Sequence, residues 1–341
     1  MNQVITKTRH EQFGYHNGQA VFEFRLTNIH GNYIELLNYG AIVKSIVVPD
    51  ANGKRANVAL GYSTLKGYLA DRAYIGATIG RFSNRIANAA FSIDNNEYLL
   101  DKNDGNNNNH SGFRGFNSRV FDFVLGYNDV TFLLNSPDGE GGFPGNLKVK
   151  VVYKWTDANE LIIEYFAVTD KPTPVNFTNH SYFNLSGRDT TIHGHKLCIA
   201  ARAMLESTQE YIPTGKIIPA GEQGFYGQAL EDIMKDGGLN NFYVFDENRS
   251  VNAPVAVLID DVSGRMMQVH TTYPGVQLYT GDFLDSVDMG HNGRRYKPFD
   301  GLCLECQLYP DSPNHSNFPD PILQPGQTYN HTITYAFGIK S

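Results

Sequence analysis

Apolar residues in this chain recur at every second position, in short runs that turn residues interrupt. A strand points successive side chains to opposite faces, so this period marks sheets with one face turned to a core. Val21 to Leu26, Tyr33 to Leu37, Val43 to Val48, Leu147 to Tyr153, Leu161 to Val168, Val255 to Ile259 and Gly275 to Thr280 all read this way. Asn32, Pro49-Asp50, Asn52-Gly53, Pro137-Asp138-Gly139 and Pro144-Gly145 supply turn chemistry between such runs. Helical spacing is scarce: Gln228 to Lys235 and a turn around Thr64 to Asp71 are the candidates. No strand–helix alternation of the kind that builds a parallel sheet is present. The reading is all-β, a large antiparallel sandwich. The Asn-rich patch 103–109 and the Pro-containing stretch 311–321 read as loops, and no linker or repeat divides residues 1–341, which are read as a single domain.

The segment Gly301 to Tyr309 is the sharpest of these strands. Leu302, Leu304, Cys306 and Leu308 share one face, and Cys303, Glu305, Gln307 and Tyr309 share the other. A carboxylate held mid-strand between aliphatic neighbours loses hydration, and its pKa answers to its surroundings. That makes Glu305 a candidate base, although a strand whose second face meets solvent would carry the same residue.

Bulk properties narrow the partners. A net charge of −7 without a basic run argues against nucleic acid and anionic membrane surfaces. No window approaches the ~20 apolar residues of a membrane span, and the stretch Met1 to Gly18 is polar, so neither a signal peptide nor an anchor is expected. Three cysteines, an odd number, suit a reducing, cytoplasmic setting. Cys303 and Cys306 fall on opposite faces of their strand, which argues against a metal or redox pair.

Two further segments repeat the pattern of Glu305. In Asn176 to Leu185, an extended chain places Asn176, Thr178, His180, Tyr182 and Asn184 on one face. In Gly275 to Gly281, Gln277 and Tyr279 face away from Val276 and Leu278. Three strands thus offer one polar face each: His180 with Tyr182, Gln277 with Tyr279, and Glu305 with Gln307. Together they fit the floor of a cleft that binds polyols by hydrogen bonds. The loop 80–86 adds Arg81, Asn84 and Arg85, and His110 follows the Asn-rich patch. The arginines fit either hydroxyl binding or structural ion pairs.

Taken in order, GRFSNRI (80–86), NHSGFRGF (109–116), SPDGEGGFPGNL (136–147), PVNFTNHSYFNLSG (174–187), GVQLYTGDFLD (275–285) and GLCLECQLYPDSPNHSNFPDPILQPGQTY (301–329) resemble the galactose mutarotase, or aldose 1-epimerase, family almost end to end. The resemblance implies that family's β-supersandwich, with an open sugar cleft on one sheet. It implies Glu305 as base and His180 as acid, with His110, Arg85, Asn84, Gln277, Tyr182 and Asn240 in contact with the sugar. It also implies a free aldose substrate such as galactose or glucose, no cofactor, no metal, and a monomer or homodimer.

Two departures stand out. Relatives carry an Asp where this chain has Asn240 or, from a shifted loop, Asp236. Where they have Gly after the loop histidine, it has Ser111, which restricts the backbone. The alternatives are a non-catalytic sugar binder of the same fold, a hexose-6-phosphate epimerase using Arg81, Arg85 and Arg114, and a glycosidase pairing Glu305 with Asp300 or Asp311. A metal enzyme built on His193 and His195 is a further alternative.

Overall fold

The computed structural model describes residues 7–234 and 237–340. Among them, three antiparallel sheets carry most of the chain. A five-stranded meander runs in chain order through Lys7–His16, Gln19–Thr27, Tyr33–Leu37, Ile42–Pro49 and Arg55–Asn57. A nine-stranded sheet has the spatial order Asp122–Leu125, Asp129–Ser136, Leu147–Trp155, Glu160–Thr169, Tyr329–Ile339, Arg265–Thr271, Ala256–Ile259, Lys196–Ile199 and Tyr226–Ala229. The six-stranded sheet that carries the site runs Tyr182–Phe183, Leu302–Gln307, Gly275–Tyr279, Asn240–Val244, Ala203–Ser207 and Pro213–Pro219. The all-β reading holds: antiparallel sheets make up almost all the regular structure.

The period-two pattern decides what each face does. Leu302, Leu304 and Cys306, with Val276, Leu278 and Tyr243 from neighbouring strands, enter one large apolar cluster. Val149, Val151, Leu161, Ile163, Met267, Val269 and Ile333 of the nine-stranded sheet belong to the same cluster, so the two sheets pack face to face. The Tyr335 hydroxyl ties them, donating to the Leu304 carbonyl at 3.1 Å, and the Phe183 and Tyr335 rings meet at 4.9 Å. Each fully buried leucine of this kind contributes roughly 1.5–3 kcal/mol. The opposite face of the 302–307 strand is buried as well, yet it holds Glu305.

The helices are shorter than their sequence spacing suggests. Leu65–Ala70 fits the expected turn. The second, Leu230–Met234, begins two residues late because Gln228 completes the strand Tyr226–Ala229; Lys235 and Asp236 lie outside the described residues. No helix among the described residues is long and apolar enough to cross a membrane.

The segment 174–187 departs from the expected continuous strand. Thr178–Asn179 pairs with Thr78–Ile79, whereas Tyr182–Phe183 pairs with Leu302 and Cys303 in the six-stranded sheet. His180 lies at the bend between them. Its backbone is clamped on both sides: His180 N–H donates to the Ala77 carbonyl at 2.8 Å, and Gly76 N–H donates to the His180 carbonyl at 3.0 Å. Gly76 has φ +73°, and a Cβ there would meet the Val43 carbonyl oxygen at 2.1 Å, so no other residue fits this clamp.

Candidate active site

The outer face of the six-stranded sheet opens into a cleft of about 600 Å³. Glu305, His180, His110, Arg85, Asn84, Gln277, Tyr182 and Asn240 all line it, so residues from six separate stretches of sequence meet in one place. Sheet register explains part of the meeting. Gln277 pairs directly with Glu305, and Asn240 with Tyr279, while Tyr182 pairs with Cys303 two residues before Glu305.

Glu305 and His180 form the centre. His180 Nε2 lies 3.6 Å from Glu305 Oε1, and both side chains are almost fully buried. Burial pushes the Glu305 carboxyl up to about 8, with the Arg85 charge pulling the other way. Burial likewise pushes the His180 imidazole down to about 4. Between those values the pair holds one proton, which rests on Glu305. Glu305 Oε2 is buried without a hydrogen-bond partner among the described residues, an unsatisfied acceptor that weakens the case for a resting carboxylate.

His110 is held in a different electronic state. The backbone N–H of Asn84 donates to His110 Nδ1 at 3.1 Å, and His110 N–H returns a bond to the Asn84 carbonyl at 3.1 Å. Burial, then the neighbouring His180 and Arg85 charges, keep the ring neutral by pushing its pKa well below 6.5. A neutral ring that accepts at Nδ1 must carry its hydrogen on Nε2. His110 is therefore a hydrogen-bond donor on its other nitrogen. Ser111, next in the chain, adopts φ +69° although it is not glycine, and its hydroxyl accepts from Phe82 N–H at 2.7 Å and donates to the Phe82 carbonyl at 3.1 Å. Two bonds offset the strain of roughly 1–2 kcal/mol that a non-glycine residue meets there.

Three side-chain amides form a rail along the floor. Gln277 Nε2 donates to Asn240 Oδ1 at 2.6 Å, Asn84 Nδ2 donates to Gln277 Oε1 at 3.1 Å, and Arg85 N–H donates to Asn84 Oδ1 at 2.8 Å. Asn240 thus accepts through its amide oxygen, as a carboxylate would. Arg85 gives its Nε–H to Asp104 at 2.7 Å and lies 5.1 Å over the Tyr211 ring.

Several expectations need correction. Of the five polar residues expected along one face of 176–185, only His180 and Tyr182 reach the cleft. Asn176 is spent on the Ser83 and Leu308 carbonyls and on Leu308 N–H, and Asn184 on the Thr190 and Asp300 carbonyls. Thr178 is fully buried away from the cleft. Gln307 shares the Glu305 face but is fully buried and does not line the cleft, and neither of its amide atoms has a hydrogen-bond partner among the described residues. Arg81 is structural: its guanidinium satisfies the carbonyls of Ser136, Pro137, Pro144 and Gly145. Arg114 is exposed outside the cleft, so the phosphate reading loses two of its three cations.

The glycosidase and metal readings fare no better. Asp300 is paired with Arg294 at 2.5 Å and Asp311 with His315 at 3.2 Å, both away from the cleft. His195 is buried and accepts Leu185 N–H at 2.9 Å, while His193 bonds Thr191. His110, His180 and Glu305 do place one possible donor atom each within 4.8 Å of one another, the count of a facial metal triad. A metal-bound histidine, however, donates from its non-ligating nitrogen, and His110 accepts there. The cluster suits protons better than an ion.

Sequence reasoning missed Tyr74, whose ring packs on His110 at 4.7 Å and on His180 at 5.8 Å. It also missed Asp104, Asn107 and Glu210, which form an outer wall through the 3.0 Å bond from Asn107 Nδ2 to Glu210. A lone tyrosine and an Asn-rich loop carry no periodic signal.

Comparisons with known proteins place the chain as a whole. The family model for aldose 1-epimerase matches residues 23–336. The chain is 40% identical over 328 residues to galactose mutarotase from Rattus norvegicus, covering 94% of this chain and 95% of that one. It is 34% identical over 342 residues to aldose 1-epimerase from Escherichia coli K12, covering 94% and 96%. The crystal structure of a GalM/aldose epimerase homologue from C. elegans superposes with a TM-score of 0.88 at 32% identity, covering 93% of this chain and 98% of that one. With the motifs, the fold and the match over nearly its whole length in agreement, the chain belongs to the aldose 1-epimerase family.

Proposed function

We propose that this protein interconverts the α and β anomers of free aldohexoses such as galactose or glucose, an isomerase acting by ring opening and reclosure. The observation that carries the reading is the Glu305–His180 pair, 3.6 Å apart in a polar cleft and holding one proton across the neutral range.

Glu305, as carboxylate, takes the proton of the anomeric hydroxyl, while His180 Nε2 gives a proton to the ring oxygen. The bond from C1 to the ring oxygen breaks and the C1 carbonyl forms. Rotation about C1–C2 presents the other carbonyl face, and the same transfers in reverse close the ring as the other anomer. His110 donates a hydrogen bond to the reacting oxygens. Arg85, Asn84, Gln277, Asn240 and Tyr182 hold the remaining hydroxyls, which fixes the sugar for proton transfer. The reaction so read proceeds by proton transfer alone, without a cofactor. We read the chain as one domain, cytoplasmic, acting as a monomer or homodimer; a main apolar cluster drawing on residues from Phe24 to Phe337 supports the first of these.

The test is the decay of optical rotation of freshly dissolved α-D-galactose and α-D-glucose. Acceleration by the wild type, lost in Glu305→Gln, supports the reading. No acceleration of either sugar sinks it and leaves a sugar binder of the same fold.

A further inference from the structure

His110 and His180 lie ring against ring, edge to face, with centroids 5.4 Å apart. Their Nδ1 atoms meet different partners. His110 Nδ1 meets a backbone N–H, a group that can only donate. His180 Nδ1 meets Cys303 Sγ at 3.4 Å, and a thiol sulfur can donate or accept. Burial, reinforced by Glu305, pushes the Cys303 pKa well above 9, so the sulfur stays protonated. The neighbouring Tyr182 hydroxyl gives its proton to the Ala73 carbonyl at 3.0 Å.

The other side of the His180 ring decides between the two roles of the sulfur. Nε2 faces Glu305 Oε1 at 3.6 Å, and Glu305 Oε2 is unpartnered among the described residues. A buried carboxylic acid needs an acceptor for its hydrogen. His180 Nε2, 3.6 Å away, lies just beyond hydrogen-bond distance, and it can accept that hydrogen only when its own ring hydrogen sits on Nδ1.

We propose that Cys303 is a positioning residue whose sulfur accepts the Nδ1–H of His180, holding His180 in the tautomer opposite to that of His110 and leaving Nε2 as the atom that carries the mobile proton. The inference rests on the acid–base reading of the site and deepens it. The proton balance closes. At rest the hydrogen is on Glu305 and His180 is neutral at Nε2; transfer gives a carboxylate and an imidazolium. With sugar bound, Glu305 regains a proton from the anomeric hydroxyl as Nε2 gives one to the ring oxygen, restoring the resting pair. The thiol keeps its hydrogen throughout. The groups facing the His180 ring are Glu305, His110, Cys303, Tyr74, Tyr182 and Tyr279, and burial pushes all three tyrosines above 10. His110, with its hydrogen fixed on Nε2, donates but does not shuttle. The choice of sulfur has a physical sense: a carboxylate at that place would hold His180 charged, whereas a weak sulfur acceptor fixes the ring and leaves it a poor base.

Nitrogen-15 NMR of the histidine rings in the sugar-free protein near neutral pH reads the tautomers directly. The expected result is hydrogen on Nε2 of His110 and on Nδ1 of His180. In Cys303→Ala the Nε2–H form of His180 gains population and kcat falls about tenfold with KM little changed, the loss of roughly one hydrogen bond. Cys303→Ser, whose hydroxyl also accepts, restores both. Hydrogen on Nε2 of His180 in the wild type overturns the proposal, as does Cys303→Ala with tautomer and kcat unchanged. If the Ala variant does not fold, the wild-type spectrum and the Ser variant decide alone. Because the spectrum needs no substrate, the stated tautomers in a protein inert to aldoses sink the epimerase reading and leave this one standing.

Discussion

The two faces of the Leu302–Gln307 strand are equally dry and do opposite things. On the inner face, Leu302, Leu304 and Cys306 are surrounded by hydrocarbon and aromatic rings, and burial stabilises the fold. On the outer face, Glu305 is just as buried, yet one carboxyl oxygen lacks a partner and its pKa stands near 8. There burial costs stability and poises a proton. One strand therefore carries both core packing and a buried, perturbed carboxyl, separated only by the alternation of side chains.

Breaking each face in turn separates the two roles. Glu305→Gln should lower kcat by about 10²–10⁴, the range for one general base, as read by polarimetry. The same variant should be more stable than wild type at alkaline pH. Unfolded Glu305 ionises near 4.5 and folded Glu305 at about 8, so wild-type stability falls as pH rises between those values. The amide has no such loss, and a gain of a few kcal/mol should open between pH 5 and 8 in denaturant titrations. Equal stability of both proteins at pH 8 would show that Glu305 is not under the pressure described.

Leu304→Ala attacks the inner face. It should cost about 2–5 kcal/mol in chemical unfolding, with kcat per folded molecule nearly unchanged. A large fall in kcat would mean that the faces are not independent.

The pH profile of kcat/KM sharpens the outer face. Rate should fall below about 4, where His180 and Glu305 are both protonated, and above about 8, where the shared proton is lost. Arg85→Met removes the charge that favours the carboxylate, so the alkaline limb should move to higher pH. A shift to lower pH would contradict the assignment of that limb to Glu305. The smallest effect belongs to the His110 support. Ser111→Ala loses both bonds to Phe82 and should cost about 1 kcal/mol, with a severalfold rise in KM.

The sequence made these faces legible because period two is a local signal. Alternation put Glu305, Gln277, His180 and Tyr182 forward as polar-face candidates, and the family resemblance added Asn84, Arg85, His110 and Asn240; all of them line the cleft. What escaped depends on where chain ends and loops lie in space. Gln307 alternates correctly but is fully buried and does not reach the cleft. Arg81 and Arg85 sit four residues apart in one loop, and Asn84, at φ +66°, helps turn the chain between them, so one is buried and the other faces the cleft. Asn176 and Asn184 share the His180 face only in an unbroken strand, and the bend at His180 removes that premise. The partnership of Cys303 with His180 joins positions far apart in sequence and has no local trace.

The place of the strand Tyr329–Ile339 bears on how the molecule is made. It pairs with Glu160–Thr169 on one side and Arg265–Thr271 on the other, and so joins the two halves of the nine-stranded sheet. Until that segment leaves the ribosome, each half presents a long unpaired edge, the kind of edge that recruits foreign strands. Closing contacts of such high sequence separation is slow. A chain lacking this one segment would therefore leave an edge of each half unpaired, and should aggregate more readily than the whole.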